Sequence, residues 1–377
     1  MQVKNLLSAV PRMLFTNAPL DAQLIVTRRC NLSCGYCSEF DNVSEPVPVD
    51  DLKRRIDALH RLGAANITLL GGEPLMHPDI AEIVVYAGRK SNVSLVTNGF
   101  LLRNSVIEAL NQAGLNNLTV SVDTLHADLT RYIQKSFRSL KTRLERLRQL
   151  AKFDVHVTAV LCESSRDDFR QLVDEIQGMG FRMSVNLIHN ARGYIAVQGQ
   201  PYLDLFEDFY SDGKPFTFLD YEYGKKLLQG ETPEWTCRAG ARYMYVDEFG
   251  NVQLCASQLG RLAKPIEGYT RADLNEQANT KKGCEEGCSV GCAFRCSILD
   301  NDKPGFLRAV FKGYARGTMF DNGRRRRPAP STAVATASCL AKARVSSSSR
   351  NGGTRSGAAP RSTRSSPASA WRARPII

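Results

Sequence analysis

The sequence predicts an α/β protein whose core is a partial barrel, followed by a small cysteine-rich domain and a disordered tail. Two observations lead to this prediction. Between residues 24 and 188, six short apolar stretches of strand character alternate with amphipathic stretches of helical periodicity. A second group of cysteines, set among glycines, follows residue 236, and after residue 317 the chain turns to arginine, serine, alanine and proline without any period.

Strand–helix pairs in succession predict a parallel sheet with right-handed crossovers. The strands are expected at 24–27, 66–70, 93–97, 118–122, 155–161 and 183–188, and the helices at 51–62, 80–90, 105–113, 140–152 and 167–178. In the first helix, Leu52, Ile56 and Leu59 share one apolar face. Six units are fewer than a closed eight-unit barrel needs, so the predicted fold is a partial (β/α)6, TIM-like barrel.

The distribution of charge argues against nucleic acid as a partner. The formal net charge is +12, and residues 318–377 contribute +11 of it, with twelve Lys or Arg and one Asp, so residues 1–317 contribute only +1. A nearly neutral body offers no basic surface to a polyanion. The arginine run at 324–327 is therefore expected to be a solvated part of the tail.

Cysteine use and hydropathy indicate a cytoplasmic protein without a membrane span. No run of residues reaches the length of a transmembrane helix, and the apolar stretch at 6–15 is interrupted by Pro11 and lacks a signal-peptide cleavage site. The cysteines number eleven, which is odd. In a reducing compartment, clustered cysteines are more often metal ligands than disulfide partners.

The first expected strand leads into a loop that carries Cys30, Cys34 and Cys37. Three thiolates on so short a loop suit one face of an iron–sulfur cube, and they leave the fourth iron without a protein ligand. The residues alone keep two other interpretations open. The cysteines are then either buried structural residues or part of a zinc site with a fourth ligand elsewhere.

Further polar motifs follow the next strands at the end where parallel strands gather their chemistry. They are Gly71, Gly72, Glu73 and Pro74 after the second strand, Asn98 after the third, and Ser121 and Asp123 at the fourth. The first motif also suits an ordinary tight turn. As a binding motif, its glycines would let a ligand approach backbone carbonyls, and Glu73 would fix a cationic amino group.

These motifs, in this order, resemble the radical S-adenosylmethionine (SAM) superfamily. The resemblance covers roughly residues 20–195 and rests on Cys-x3-Cys-x2-Cys, with the aromatic Tyr36 before the last cysteine, and on Gly-Gly-Glu-Pro. It implies that Cys30, Cys34 and Cys37 hold a [4Fe–4S] cluster whose open iron takes the amino and carboxylate groups of SAM. The family's glycine-rich adenine motif is not evident at 158–163, after the fifth strand.

The same resemblance assigns contacts with SAM. Residues 71–74 would receive the methionine amino group, Tyr36 would lie against the adenine, and Ser121 with Asp123 would lie near the ribose or carboxylate. Asn98 and Asn186, the latter on the sixth expected strand, complete the predicted cofactor-binding set.

The implied function is that of a radical SAM oxidoreductase or transferase. Such an enzyme cleaves SAM reductively to a 5′-deoxyadenosyl radical, which takes hydrogen from a peptide or small-molecule substrate, and it receives its electron from a flavodoxin- or ferredoxin-type donor. Two alternatives stay open. One is an enzyme that adds the adenosyl radical to an acceptor, and the other is a non-catalytic iron–sulfur or zinc protein for electron transfer or assembly.

The second cysteine group resembles the auxiliary-cluster (SPASM or twitch) domains of the same superfamily. Cys237 is followed by Gly250 and Cys255, as at the opening of those domains. The later cysteines, Cys284, Cys288, Cys292 and Cys296, are separated by three residues each, whereas the usual gaps are two, five and three. We expect one auxiliary [4Fe–4S] cluster held by Cys237, Cys255 and two of these four. A second, incompletely ligated cluster and a structural zinc site are the alternatives.

The chain is therefore divided into five segments. They are an N-terminal segment at 1–19, a radical SAM core at 20–195, a linker region at 196–235, an auxiliary domain at 236–317 and a disordered basic tail at 318–377. The linker region should contain a helix near 202–210, and the auxiliary domain a β-hairpin with strands at 243–246 and 252–255. Cys162 is expected to be a small buried core residue.

Overall fold

The computed structural model describes residues 16–37, 39–128, 134–211, 221–302 and 304. The predicted tail, with Cys339, and most of the predicted N-terminal segment lie outside these residues. The strands are β1 Asp21–Thr27, β2 Asn66–Gly71, β3 Asn92–Thr97, β4 Asn117–Ser121, β5 Asp154–Leu161, β6 Arg182–Leu187, β7 Tyr243–Val246, β8 Asn251–Gln253 and β9 Lys264–Pro265.

Nine α-helices belong to the described residues, and three short 3₁₀ turns accompany them at Pro74–Met76, Ala256–Gln258 and Ile266–Gly268. The helices are α1 Val49–Leu62, α2 Ile80–Ala87, α3 Asn104–Ala113, α4 Phe137–Leu150, α5 Phe169–Gly178, α6 Gln200–Ser211, α7 Tyr221–Leu228, α8 Arg271–Asn279 and α9 Gly291–Asn301. No helix among the described residues is long and apolar enough to cross a membrane.

The strands form a sheet in the order β6-β5-β4-β3-β2-β1-β7-β8-β9. Strands β1 to β6 pair in parallel, each with its neighbour in sequence, and helices α1 to α5 lie in the connections between them. This arrangement confirms the predicted α/β fold with six strand–helix units. Because the strands are parallel, their carboxyl ends share one edge, and the motifs of the sequence lie along that edge.

The predicted hairpin forms, and it extends the same sheet. Strand β7 pairs in parallel with β1, with Asp21 opposite Tyr243, and β8 returns antiparallel with Val246 opposite Val252. The cysteine loop that follows β1 therefore lies between the barrel strands and the hairpin. Local periodicity does not predict this pairing, since it joins stretches more than two hundred residues apart along the chain.

Side chains alternate between two faces of the sheet. In β1, Ala22, Leu24 and Val26 are fully buried in the main hydrophobic core, together with the predicted apolar face of α1. The alternate positions of β1 are polar except for Ile25, which packs in a second hydrophobic cluster. Asn66 Nδ2 and Thr68 Oγ1 of β2 both donate to Asp21 Oδ1 at 2.6 Å. The inner face of the partial barrel thus carries a hydrogen-bonded polar layer.

Several elements differ from the sequence expectations. Helix α4 begins at Phe137, three residues before its predicted start at 140, because the Ser136 side chain accepts a hydrogen bond from Ser139 N and caps the first turn. Helices α7, α8 and α9 were not predicted. Helix α9 includes Cys292 and Cys296, and its sequence has almost no amphipathic pattern, so only packing against β7 reveals it.

Candidate active site

The cysteine loop begins three residues after the end of β1. Cys34 is buried, with 8% of its surface exposed, Cys30 is half-buried and Cys37 is exposed. Cys37 N donates to Cys34 O at 3.0 Å, and Leu32 N donates to Cys30 Sγ at 3.4 Å. These turns bring the three predicted cluster ligands onto one short loop. Burial raises the pKa of the Cys30 thiol.

A polar cluster fastens both ends of this loop to the hairpin. Arg28, two residues before Cys30, donates to Glu39 Oε2 at 2.7 Å and to Glu248 Oε2 at 2.9 Å. Tyr245 OH donates to the same Glu39 oxygen at 2.5 Å. Burial alone would lower the pKa of Arg28, but the hydrogen bond with Glu248 and the nearby carboxylates raise it. The loop is thereby held between β1 and the β7–β8 turn.

The structure corrects the reason for the two glycines of the Gly-Gly-Glu-Pro motif. Gly71 has φ +154°, and a Cβ there would lie 1.9 Å from Thr27 O, while a Cβ on Gly72 would lie 2.3 Å from Arg29 O. Gly72 N donates to Thr27 O at 2.9 Å. The space next to both glycines is filled by the chain that leads into the cysteine loop. The glycines therefore allow two backbones to touch, and that space is closed to a ligand.

Glu73 also has a different place from the one expected. Its side chain is fully buried, and it accepts hydrogen bonds from Thr97 Oγ1 at 2.7 Å, Asn98 N at 2.7 Å and Leu75 N at 3.1 Å. Burial raises its pKa to about 7. Here the carboxylate ties the end of β2 to the end of β3, and Pro74 starts the 3₁₀ turn behind it. The expected contact between Glu73 and a cationic amino group stays a prediction.

Asn98 lies against the cysteine loop. Its side-chain Nδ2 donates to Asn31 Oδ1 at 2.8 Å and lies 3.7 Å from Cys30 Sγ, within hydrogen-bond reach of sulfur. Its Oδ1 accepts from Phe100 N at 3.0 Å. The end of β3 therefore meets the end of β1 at the first predicted cluster ligand.

Tyr36 and Asp123 contact a third residue that the sequence analysis missed. Tyr36 OH donates to Asp123 Oδ2, and Lys135 Nζ forms an ion pair with the same oxygen at 3.0 Å. Lys135 also lies 5.1 Å from the centre of the Tyr36 ring. Burial by itself lowers the pKa of Lys135, but the charge and hydrogen bond of Asp123, together with the nearby cysteines, raise it. No motif in the sequence marks Lys135.

The other oxygen of Asp123 is an unused acceptor. Asp123 is 2% exposed, and its Oδ1 is buried without a hydrogen-bond partner in the described part of the chain. Buried carboxylate oxygens are normally hydrogen-bonded, so such an atom beside the cysteine loop suits a bound ligand with a hydroxyl or amino group. This observation agrees with the predicted role of Asp123 in binding SAM.

Ser121 and Asn186 lie farther along the sheet. Ser121 ends β4 and is in register with Thr158 of β5. Asn186, on the edge strand β6, donates from Nδ2 to Thr158 Oγ1 at 2.9 Å. Ser121 and Asn186 lie on either side of Thr158, on the strand that leads to Asp123 and on the edge strand.

The second cysteine group surrounds a cavity. Cys237, Cys255, Cys284 and Cys288 all line one cavity, with Trp235 and Lys282 also in its wall. Burial, reinforced by the neighbouring thiols, raises the pKa of Cys255 and of Cys288 to about 12. Which of the four later cysteines accompany Cys237 and Cys255 at a cluster stays a prediction.

Cys292 and Cys296 lie one turn apart on α9, outside the residues that line this cavity. Cys292 is hydrogen-bonded to Tyr243 of β7, and burial raises its pKa. Cys162 is buried at the end of β5, as expected for a core residue. Among the described residues, no three His, Cys, Asp or Glu side chains are grouped so that they could hold a metal ion.

Comparison with known proteins identifies the core. A sequence model of the radical SAM superfamily matches residues 24–176. This match covers less than half of the chain, so it states what residues 24–176 are similar to. The cofactors of this superfamily are a [4Fe–4S] cluster and SAM, and the sulfur-only donor set on the cysteine loop fits such a cluster.

Curated relatives match part of the chain. The chain is 30% identical over 156 residues to GTP 3′,8-cyclase of Listeria monocytogenes, which is 39% of this chain and 46% of that protein. It is 36% identical over 137 residues to AdoMet-dependent heme synthase of Methanosarcina barkeri, which is 35% of this chain and 38% of that protein. The chain therefore spans less than half the length of these relatives.

Solved structures share the fold over a longer stretch. Streptococcus suis SuiB bound to its precursor peptide SuiA has a TM-score of 0.55 and 17% identity, covering 72% of this chain and 67% of that one. Native anSMEcpe with bound AdoMet has a TM-score of 0.50 and 15% identity, covering 79% and 99%. The likeness in fold extends past residues 24–176, since it covers 72% or more of this chain.

Proposed function

We propose that the protein is a radical SAM enzyme whose cluster is held by Cys30, Cys34 and Cys37. The observation that best supports this is a short loop with three free cysteines beside Asp123, whose buried Oδ1 lacks a partner among the described residues. When bound, the cluster and SAM supply a 5′-deoxyadenosyl radical that takes hydrogen from an unactivated carbon. The protein supplies the binding, the orientation and the exclusion of water.

In this proposal the Tyr36–Asp123–Lys135 contact forms one wall of the SAM site. Lys135 Nζ pairs with Asp123 Oδ2 and holds the carboxylate in place. Asp123 Oδ1 then accepts a hydrogen bond from a hydroxyl or amino group of SAM. Asn98 and the chain at 71–74 form the adjoining wall, and Ser121 and Asn186 extend the pocket toward the barrel interior.

We further propose one auxiliary [4Fe–4S] cluster on Cys237, Cys255, Cys284 and Cys288. Four thiols around one cavity supply a complete ligand set for a cluster, without an open iron. Deep burial keeps water away from such a cluster, and the raised pKa of these thiols means that assembly must release protons.

The substrate in this proposal is a peptide or a small molecule that reaches the mouth of the partial barrel. Relatives and neighbours of both kinds exist, since GTP 3′,8-cyclase is named for a nucleotide and SuiB was solved with a precursor peptide. The exposed Cys37 lies where a flavodoxin- or ferredoxin-type donor can approach. Reduced clusters of this kind are suited to the cytoplasm, where we place the protein.

The test is SAM cleavage by anaerobically reconstituted, reduced protein, with 5′-deoxyadenosine as the measured product. We expect cleavage by the wild-type protein and none by Cys34→Ala. Cys288→Ala, which changes the other cysteine group, should retain part of the cleavage.

Absence of 5′-deoxyadenosine from wild-type protein, with a spectroscopically intact cluster, would contradict the enzyme and favour an electron-transfer or scaffold protein. Equal behaviour of the two cysteine variants would contradict the division into two cluster sites. Adenosyl attached to an acceptor, in place of free 5′-deoxyadenosine, would point to the radical-adding type of enzyme.

A further inference from the structure

Asn98 is held in one orientation by the backbone around it. Its own N–H donates to the buried Glu73 Oε2 at 2.7 Å, and its side-chain Oδ1 accepts from Phe100 N at 3.0 Å. The residue is 7% exposed. Because a backbone N–H can only donate, the side-chain oxygen must face Phe100, and the two amide hydrogens must point the other way.

The two amide hydrogens point toward the cysteine loop, where two acceptors lie. Asn31 Oδ1 is 2.8 Å from Asn98 Nδ2, and Cys30 Sγ is 3.7 Å from it. Two donors thus face one oxygen and one sulfur. In the protein with a cluster, that sulfur would be a thiolate bound to iron, which is a better acceptor than the thiol.

We propose that Asn98 is a positioning residue that donates an N–H···S hydrogen bond to Cys30 and raises the reduction potential of the cluster. This inference rests on the proposed function. Reduction adds one negative charge that spreads onto the ligand sulfurs, so a donor to one sulfur stabilises the reduced form more than the oxidised form. Outer contacts to metal ligands commonly tune a site in this way.

The Gly-Gly-Glu-Pro motif then has a second role, which is to position Asn98. Glu73 is bonded to both Thr97 and Asn98, so its carboxylate fixes the loop from which the amide reaches Cys30. The motif and the first cysteine are therefore connected through three side chains, Glu73, Asn98 and Cys30.

The experiment is a redox titration of the reconstituted full chain, followed by electron paramagnetic resonance, for Asn98→Ala and Asn98→Asp. Both variants remove the N–H donor, and the aspartate keeps the size of the side chain and an acceptor for Phe100 N. We expect the midpoint potential of the SAM-binding cluster to move to more negative values in both, with iron content close to that of wild type.

Asn31→Ala is the matched control, since it removes the other partner of the same amide and leaves the contact with Cys30. We expect its potential to equal that of wild type. Unchanged potentials in both Asn98 variants, in a protein that still cleaves SAM, would overturn this inference and leave the proposed function standing. An equal shift in Asn31→Ala would also overturn it, because the effect would then come from the position of the loop.

Discussion

At the residue scale, one carboxylate in the site has an organising role that its sequence motif does not reveal. Glu73 is fully buried, and its two oxygens receive three hydrogen bonds from the protein. Sequence alone marks Glu73 as a ligand for a cation, since a carboxylate after a strand end is normally reactive or binding. In the structure, the buried carboxylate connects the end of β2 to the end of β3 through these hydrogen bonds.

The pKa of Glu73 gives a prediction for stability against pH. Burial raises this pKa from 4.5 to about 7, so between these values the folded protein keeps a proton that the unfolded chain has released. The free energy of unfolding should therefore fall as pH rises through this window, by about 3 kcal/mol at most. Urea unfolding of the cluster-free protein at pH 5 and pH 7.5 measures this change in the free energy of unfolding.

The comparison needed is with Glu73→Gln, which cannot titrate. His156 contributes in the opposite sense, because burial lowers its pKa to about 3 and its contribution to stability is lost as pH falls below about 6.5. Since both proteins contain His156, the difference between their pH slopes isolates Glu73. Identical slopes would show that Glu73 stays ionised throughout.

Lys135 shows the same limit of sequence reasoning. It forms an ion pair with Asp123 and lies over the ring of Tyr36, yet it follows the strand end by more than ten residues. A lone lysine before a helix is normally solvent-exposed. Lys135 is part of the site only because the chain folds back toward the cysteine loop.

At the element scale, the close contact of β1 and β2 is what shapes the site. The two strands are in register from Ala22 to Ile25, and an irregularity between Ile25 and Thr27 lets Gly71 pair with Thr27. That irregularity brings the Gly-Gly-Glu-Pro turn under the cysteine loop. The glycines are required by the approach of two backbones, which is a property of the paired elements.

Gly71→Ala tests this contact. A methyl group 1.9 Å from Thr27 O, on a residue with φ +154°, must push the strands apart. We expect a loss of about 3 kcal/mol in the free energy of unfolding, with poor iron incorporation. Chemical denaturation of the cluster-free protein and iron analysis after reconstitution give the two values.

Gly178→Ala is the control for that change. A Cβ on Gly178, at the end of α5, meets no atom within 4 Å and its φ is not positive, so stability should be kept or slightly raised. If Gly71→Ala is as stable as Gly178→Ala and takes up iron normally, the close approach of β1 and β2 does not restrict this position.

At the scale of the whole molecule, the pairing of β7 with β1 puts the two cysteine groups on one sheet. Cys30 follows β1, and Cys255 follows the hairpin that β7 begins. Arg28 reinforces the connection through Glu39 and Glu248. The cysteine loop is therefore fixed by contacts from both the core and the auxiliary region.

Arg28→Met should loosen this connection. The guanidinium is 10% exposed, and its removal leaves two partly buried carboxylates without their cation. We expect a loss of about 2 kcal/mol in stability and reduced iron at the Cys30–Cys37 loop, while the auxiliary cluster is retained. Thermal unfolding and Mössbauer quantification of the two clusters measure these effects.

Arg54→Met is the matched substitution, because Arg54 is 61% exposed and pairs with its helical neighbour Asp51. It should change stability by less than about 0.5 kcal/mol. A similar loss of iron in both variants would mean that the contact between the hairpin and the cysteine loop has no part in cluster binding.

The sequence by itself determined the parallel sheet, the order of its six strand–helix units and the Cys30–Cys37 loop at a strand end. These features follow from periodicity and motif spacing, which involve residues only a few positions apart and can therefore be read from the sequence. The tertiary structure decided the pairing of β7 with β1, the place of Lys135, the burial of Glu73 and the choice of Cys284 and Cys288 to line the second cavity. Each of these depends on contacts between residues far apart in sequence, whose partners no local pattern specifies.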